Sequence, residues 1–281
     1  MLMMVPPLAM CPSSSWGQSA RPTGFPNSVP VLPADLDVLV RQTGQAAPTR
    51  AAIGLPSTCR CRHGFPQAFA LDPLPAGSGR ANSGLLKLTC PHLVNAVDDL
   101  EDDGGIVTFN ERLAVCPPDG VGDEERRRLR NSAAEAHTVH ASMRRDMLSS
   151  NDDLEALCSK LGERGAEAFL GSGVAGAAEG TFGSDDGVAG DVKCLHAWLA
   201  DYLFRGLEGD SALLGSAVGA ELEMRGIDLN GTAACNAACD PCFKGSNVPP
   251  PPKPRNKQRL RTGKEIARRR RRREEEKARN M

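Results

Sequence analysis

GLLKLTCPHLVNAVDDLEDDGG, residues 84–105, changes its period part-way along. The first seven residues alternate apolar and polar side chains around Lys87, the two-residue repeat of a strand. From Pro91 the apolar residues Leu93, Val97 and Leu100 recur at helical spacing, with Pro91 in the first turn and Gly104 as the stop. A strand that feeds a helix this directly belongs to a mixed domain in which the helix packs back onto the sheet.

Working outward, FPQAFAL (65–71) reads as a strand, GSGRANSG (77–84) as the turn after it, and GIVTF (105–109) as a further strand. GDEERRRLRNSAAEAHTVHASMRRDML (122–148) is the longest helix, because Leu129, Ala133, Ala136, His140, Met143 and Met147 form one stripe at steps of three and four. Its acidic start and its basic end, Arg144 and Arg145, suit the helix dipole. A short helix is expected from Asp152 to Leu161. The Gly-rich stretch 171–190 reads as a long mobile loop, and DVKCLHAWLADYLFRG (191–206) as a helix capped by Asp191 with Leu195, Leu199 and Tyr202 inward. The expected fold is α+β: a small three-stranded sheet with at least three helices on one face, flanked by disordered termini.

Aromatics are few (8 Phe, 2 Trp, 1 Tyr), so Leu, Val, Ala and Met must build the core. No apolar run approaches the roughly 18 residues that cross a bilayer. Residues 1–34 contain no Asp or Glu and one Arg, the composition of a disordered leader or a targeting segment. A single domain is expected over 35–230, then a Cys-containing segment and Pro-rich spacer over 231–252, where Pro249–Pro252 favour polyproline II, and a basic tail over 253–281. That tail holds 14 Lys or Arg against 4 Glu, net +10, while the rest of the chain is net −11. Six consecutive arginines, Arg268, Arg269, Arg270, Arg271, Arg272 and Arg273, read either as a solvated charged helix or as an arm for RNA or another polyanion.

DVLVRQTGQ, CRCRHGFP, LTCPHLVNAVDDLEDDG, AHTVH followed by Arg144, GVAG and VKCLHA occur in an order and spacing that resembles the bacterial domain-of-unknown-function family numbered five hundred and one, over roughly residues 35–219. The family's Cys-Pro-Cys-Gly is here Cys59-Arg60-Cys61-Arg62-His63-Gly64. The resemblance implies an intracellular protein and carries no activity. The positions that match it include Cys59, Cys61, Cys90, Cys194 and His196, four thiols and an imidazole from three separate segments, a donor set suited to zinc. Residues two apart on a helix point about 200° apart, so Cys194 and His196 can share one metal only if the helix begins at or after them.

Other readings of the same residues stay open. Cysteine is among the most buried side chains and often only packs. With Asp191 as cap, Cys194 falls in the first turn, where the dipole favours a thiolate nucleophile with His196 or His140 as base. A Gly-rich loop leading to a helix start, with Gly190 and Lys193 beside it, is also an anion-binding arrangement. Cys235, Cys239 and Cys242 have the spacing of an iron–sulfur motif, but a proline spacer and basic tail follow instead of a barrel, so a cluster is not expected there. Two functions follow: a metal-stabilised, zinc-holding binding or scaffold domain, or a small cysteine-dependent enzyme acting on an anionic substrate.

Overall fold

The computed structural model describes residue 25 and residues 27–44, 51–76, 79–114, 123–177, 192–206 and 212–231. The first 24 residues, residue 191, Cys235, Cys239, Cys242 and the whole tail lie outside the described residues, so the expectations made for them are not addressed by the fold.

Four strands form one antiparallel sheet in the order β1 (Ser28–Val29), β2 (Ala52–Pro56), β3 (Ala68–Leu71), β4 (Leu86–Leu88). Both strands expected next to the Gly-rich turn are present, paired Ala68 to Leu88 and Ala70 to Leu86. One strand more than expected completes the sheet, because β1 and β2 replace the single strand assigned at 105–109. The chain is already part of the fold before residue 35: Phe25 is buried against the core and β1 follows it.

Seven α-helices accompany the sheet among the described residues: α1 (Pro33–Thr43), α2 (Pro91–Asp102), α3 (Gly105–Leu113), α4 (Asp123–Met147), α5 (Asn151–Leu170), α6 (Leu195–Arg205) and α7 (Leu213–Met224). GIVTF belongs to α3. Its β-branched residues suggest a strand, yet Ile106, Phe109 and Leu113 lie at steps of three and four and pack into the core together, and this tertiary burial outweighs the weak local preference. Gly104, at φ 90°, turns the chain from α2 straight into α3.

The helices occupy both faces of the sheet, not one. Leu39 of α1 packs on Leu55 and Phe69 on one side, while Ala68, Ala70, Leu86 and Leu88 face α6 on the other. Ile53 and Leu55 are two apart and belong to opposite faces, which a regular strand forbids; a register irregularity between Ala52 and Gly54 allows it. The helix α6 is the centre of the fold, touching β4, α2 and α7 and burying Leu195, Trp198, Leu199, Leu203 and Phe204. It crosses α7 closely: a Cβ on Gly215 would meet the Trp198 carbonyl oxygen at 2.2 Å.

The α4 stripe is buried as its spacing predicts, Met143 only in part, and is widened by His137, Ala141 and Arg144. The start of the Gly-rich stretch is not a mobile loop. Gly171–Val174 are buried, and Val174–Gly176 form a 3-10 turn whose Val174 N–H donates to His137 Nδ1 at 3.0 Å. Residues 178–190 lie outside the described residues.

Candidate metal centre

The site is built where the end of α2 meets the start of α6. In α2, Leu93, Val97 and Glu101 follow one another at steps of four, so Glu101 continues the inward face at the helix's C-terminal end. The segment before α6 is held by Asn110 of α3, whose amide nitrogen donates to the Val192 carbonyl and whose amide oxygen accepts from the Val192 N–H, both at 3.1 Å. Two residues later Cys194 is the cap residue itself, in extended conformation (φ −157°, ψ 114°), and α6 begins at Leu195. The expected cap at Asp191, with Cys194 inside the first turn, is therefore corrected. The condition for Cys194 and His196 to face a common point is met, because the backbone is not helical at Cys194.

Three donor atoms converge there. Cys194 Sγ lies 3.8 Å from His196 Nδ1, and His196 Nδ1 lies 3.2 Å from Glu101 Oε1. The three ligand atoms lie within 4.8 Å of one another, the one such group of His, Cys, Asp or Glu among the described residues. Glu101 Oε1 also accepts the Leu195 N–H at 2.6 Å, which ties α2 to the first free amide of α6. On the far side of the imidazole, His196 Nε2 lies 3.3 Å from Asp98 Oδ1. The side chains of His196 and Glu101 are 21% and 22% exposed, so the site is reachable from solvent without being open to it.

The electrostatics suit a cation. Burial works against a charged His196, yet the Cys194 sulfur and the Glu101 carboxylate together pull its pKa up to about 10. Burial likewise opposes ionisation of Glu101, and its bonds from His196 and Leu195 overcome that and hold its pKa below the usual range. Asp99, Asp102 and Asp103 are exposed around the same helix end. The Leu195 amide is given to Glu101 and the mouth is acidic, so the anion-binding reading of Lys193 loses its main donor; Gly190 lies outside the described residues.

The other expected residues are elsewhere. Cys90 caps the N-terminal end of α2, eleven residues from Glu101, which is about 16 Å along a helix. It is buried, as is Cys61, while Cys59 is half-buried and burial pushes its thiol pKa up. None of the three belongs to the converging group, so the five-residue ligand set is not assembled. The described cysteines are thiols, not disulfide halves. His140 is a buried histidine facing Asp201, enclosed too completely to act as a base on a bound molecule. Sequence reasoning missed Glu101, Asp98 and Asn110. Glu101 carried a signal, its place at step four from Val97, whereas Asp98 and Asn110 carried none.

A family model described as "Protein of unknown function (DUF501)" matches residues 57–218. The chain belongs to that family. The DUF501 match contains Asp98, Glu101, Asn110, Cys194 and His196. It begins after β2, so half of the sheet and all of α1 precede the DUF501 region. Neither the curated proteins nor the solved structures yield a match. No helix among the described residues is long and apolar enough to cross a membrane.

Proposed function

We propose that Glu101, Cys194 and His196 are the protein ligands of a divalent metal, zinc by their chemistry, in a domain that the metal clasps between α2 and α6. The observation that carries this is the convergence of a thiol, an imidazole nitrogen and a carboxylate oxygen. Zinc bonds of about 2.0 Å to N and O and 2.3 Å to S, at tetrahedral angles, place N and O about 3.3 Å apart and N and S about 3.5 Å apart. The separations of 3.2 and 3.8 Å are close to both. Three ligands leave the fourth position of a tetrahedron to water or a partner group, as in open sites. The role is that of a metal-stabilised binding or scaffold domain. Metal analysis of the full chain is the test: about one zinc per chain is expected, retained in Cys90→Ser and lost in Cys194→Ser and in Glu101→Gln. Zinc that persists in Cys194→Ser, or is absent from the wild type, refutes it.

A second reading is supported by the order thiol, imidazole, carboxylate through Cys194, His196 and Asp98, which is the order of an activated cysteine nucleophile. The acidic surroundings disfavour an anionic substrate for it. Iodoacetamide labelling of the metal-free chain separates the readings. A nucleophile reacts at Cys194 well before the half-buried Cys59 and Cys158.

We also propose that the arm carrying Arg268–Arg273 binds polyanions through counterion release, with RNA as the natural candidate. The full chain is expected to bind unrelated RNA with steep salt dependence and a chain ending at Val248 is not. Equal binding by the two removes the tail from that role.

A further inference from the structure

We propose that Asp98 is the positioning residue that fixes the ring of His196, so that Nδ1 and not Nε2 faces the metal. The inference rests on the metal reading of Glu101, Cys194 and His196. Asp98 and Glu101 are three apart on α2 and therefore share one face of the helix. Together they grip one imidazole from its two ends: Glu101 Oε1 is 3.2 Å from Nδ1 and Asp98 Oδ1 is 3.3 Å from Nε2.

The two ring nitrogens diverge, so a carboxylate on Nε2 stands on the side of the ring away from Cys194. Asp98 is accordingly outside the ligand group. Its chemistry is to stand ready to accept the Nε2–H once a metal displaces the proton that Nδ1 shares with Glu101, so that the lone pair freed for the metal is the one on Nδ1, beside the Cys194 sulfur and the Glu101 oxygen. Ligating histidines generally depend on such an outer carboxylate or carbonyl for their tautomer and ring orientation. Asp98 is exposed, 60% at the side chain, so replacing it opens no cavity.

Cobalt(II) titration of the full chain tests this, because cobalt follows zinc geometry and its thiolate charge-transfer and ligand-field bands report the ligand set directly. Wild type, Asp98→Ala, Asp98→Asn and Glu101→Gln are compared, with far-UV circular dichroism to verify folding. Asp98→Ala is expected to weaken cobalt binding about 10- to 100-fold. Asp98→Asn, whose amide oxygen still accepts from Nε2–H, should recover much of that loss. Nitrogen-15 histidine spectra of the zinc-loaded wild type should show Nδ1 metallated and Nε2 protonated. Unchanged affinity in Asp98→Ala, or zinc on Nε2, overturns the role of Asp98 while leaving the metal site standing. No cobalt bands in the wild type overturn both, and cobalt bands that survive in Glu101→Gln refute the ligand set alone.

Discussion

His140 Nε2 lies 2.8 Å from Asp201 Oδ1, and neither side chain has access to solvent. The same carboxylate takes two bonds from Arg205, Nε to Oδ1 and Nη2 to Oδ2, each at 2.8 Å. Burial alone would raise the Asp201 pKa, and Arg205 and His140 reverse that and hold it below the usual carboxylate range. A carboxylate with its pair of hydrogen-bonded partners inside the core is tolerable only while all remain, since desolvation of a lone charge costs more than its partner recovers. Asp201→Ala strands Arg205 in the core and is expected to cost about 3–5 kcal/mol, read from urea unfolding of the full chain. A loss below about 1 kcal/mol, the size of an exposed pair, means that the cluster does not hold α4 and α6 together.

Acid should unfold the domain ahead of ordinary carboxylate titration. Burial, helped by the neighbouring His140, lowers the His137 pKa to about 4, and burial also lowers that of His140 against the pull of Asp201. Both histidines therefore bind protons more readily once unfolded. Stability from His137 is fully present above the unfolded value of about 6.5 and is lost as pH falls toward 4. Thermal midpoints measured from pH 7.5 down to 4.5 should fall, and fall less steeply in His137→Gln. Parallel slopes in the two proteins would remove His137 as a cause.

Arg144 has no carboxylate against it among the described residues. Its guanidinium donates to the carbonyls of Ser172 and of Ser83, the latter at 2.6 Å, and stacks 5.2 Å above the Phe169 ring. One planar fork thus pins the start of the Gly-rich stretch and the turn before β4 to α4. Lysine offers a point charge that cannot reproduce the fork. Arg144→Lys is expected to cost about 2 kcal/mol and to speed amide exchange at residues 171–177 selectively. Exchange that rises evenly over the whole chain would show a general loss of stability instead.

Gly162 interrupts α5 at φ 72°, ψ 165°, a conformation that only glycine adopts readily. Gly162→Ala should destabilise by about 1–3 kcal/mol, whereas Gly165→Ala, whose Cβ meets Leu161 Cβ at 3.0 Å, tests crowding in ordinary helical backbone. Equal small effects in the two variants would mean that the bend at Gly162 is not held by the fold.

The same glycine shows what a local reading can miss. The helix expected to end at Leu161 stops for a single residue and resumes to Leu170, because Ala166 and Phe169 pack against Leu148 and Leu157 across the bend. GIVTF failed as a strand for the related reason that burial of Phe109 and Leu113 outweighs β-branching. The helix α1 and strands β1 and β2 went unread because short, half-apolar segments have no period long enough to recognise. By contrast, the long stripe of α4 and the apolar faces of α2 and α6 were legible, since their periods run over several turns.

The linear order of residues was enough to define a strand-to-helix α+β domain, to single out Cys194 and His196 as a pair, to assign the chain to its family by motif spacing, and to separate a basic tail from an acidic body. Each of these is a property of neighbours along the chain. Which residues converge with Cys194 and His196 was decided only by tertiary structure. Cys90 was the expected partner for Cys194 and Glu101 was not, yet Cys90 stands at the opposite end of α2, which runs away from Cys194 at 1.5 Å per residue. The docking of its C-terminal end on the start of α6 brings in Glu101 and carries Cys90 out of reach.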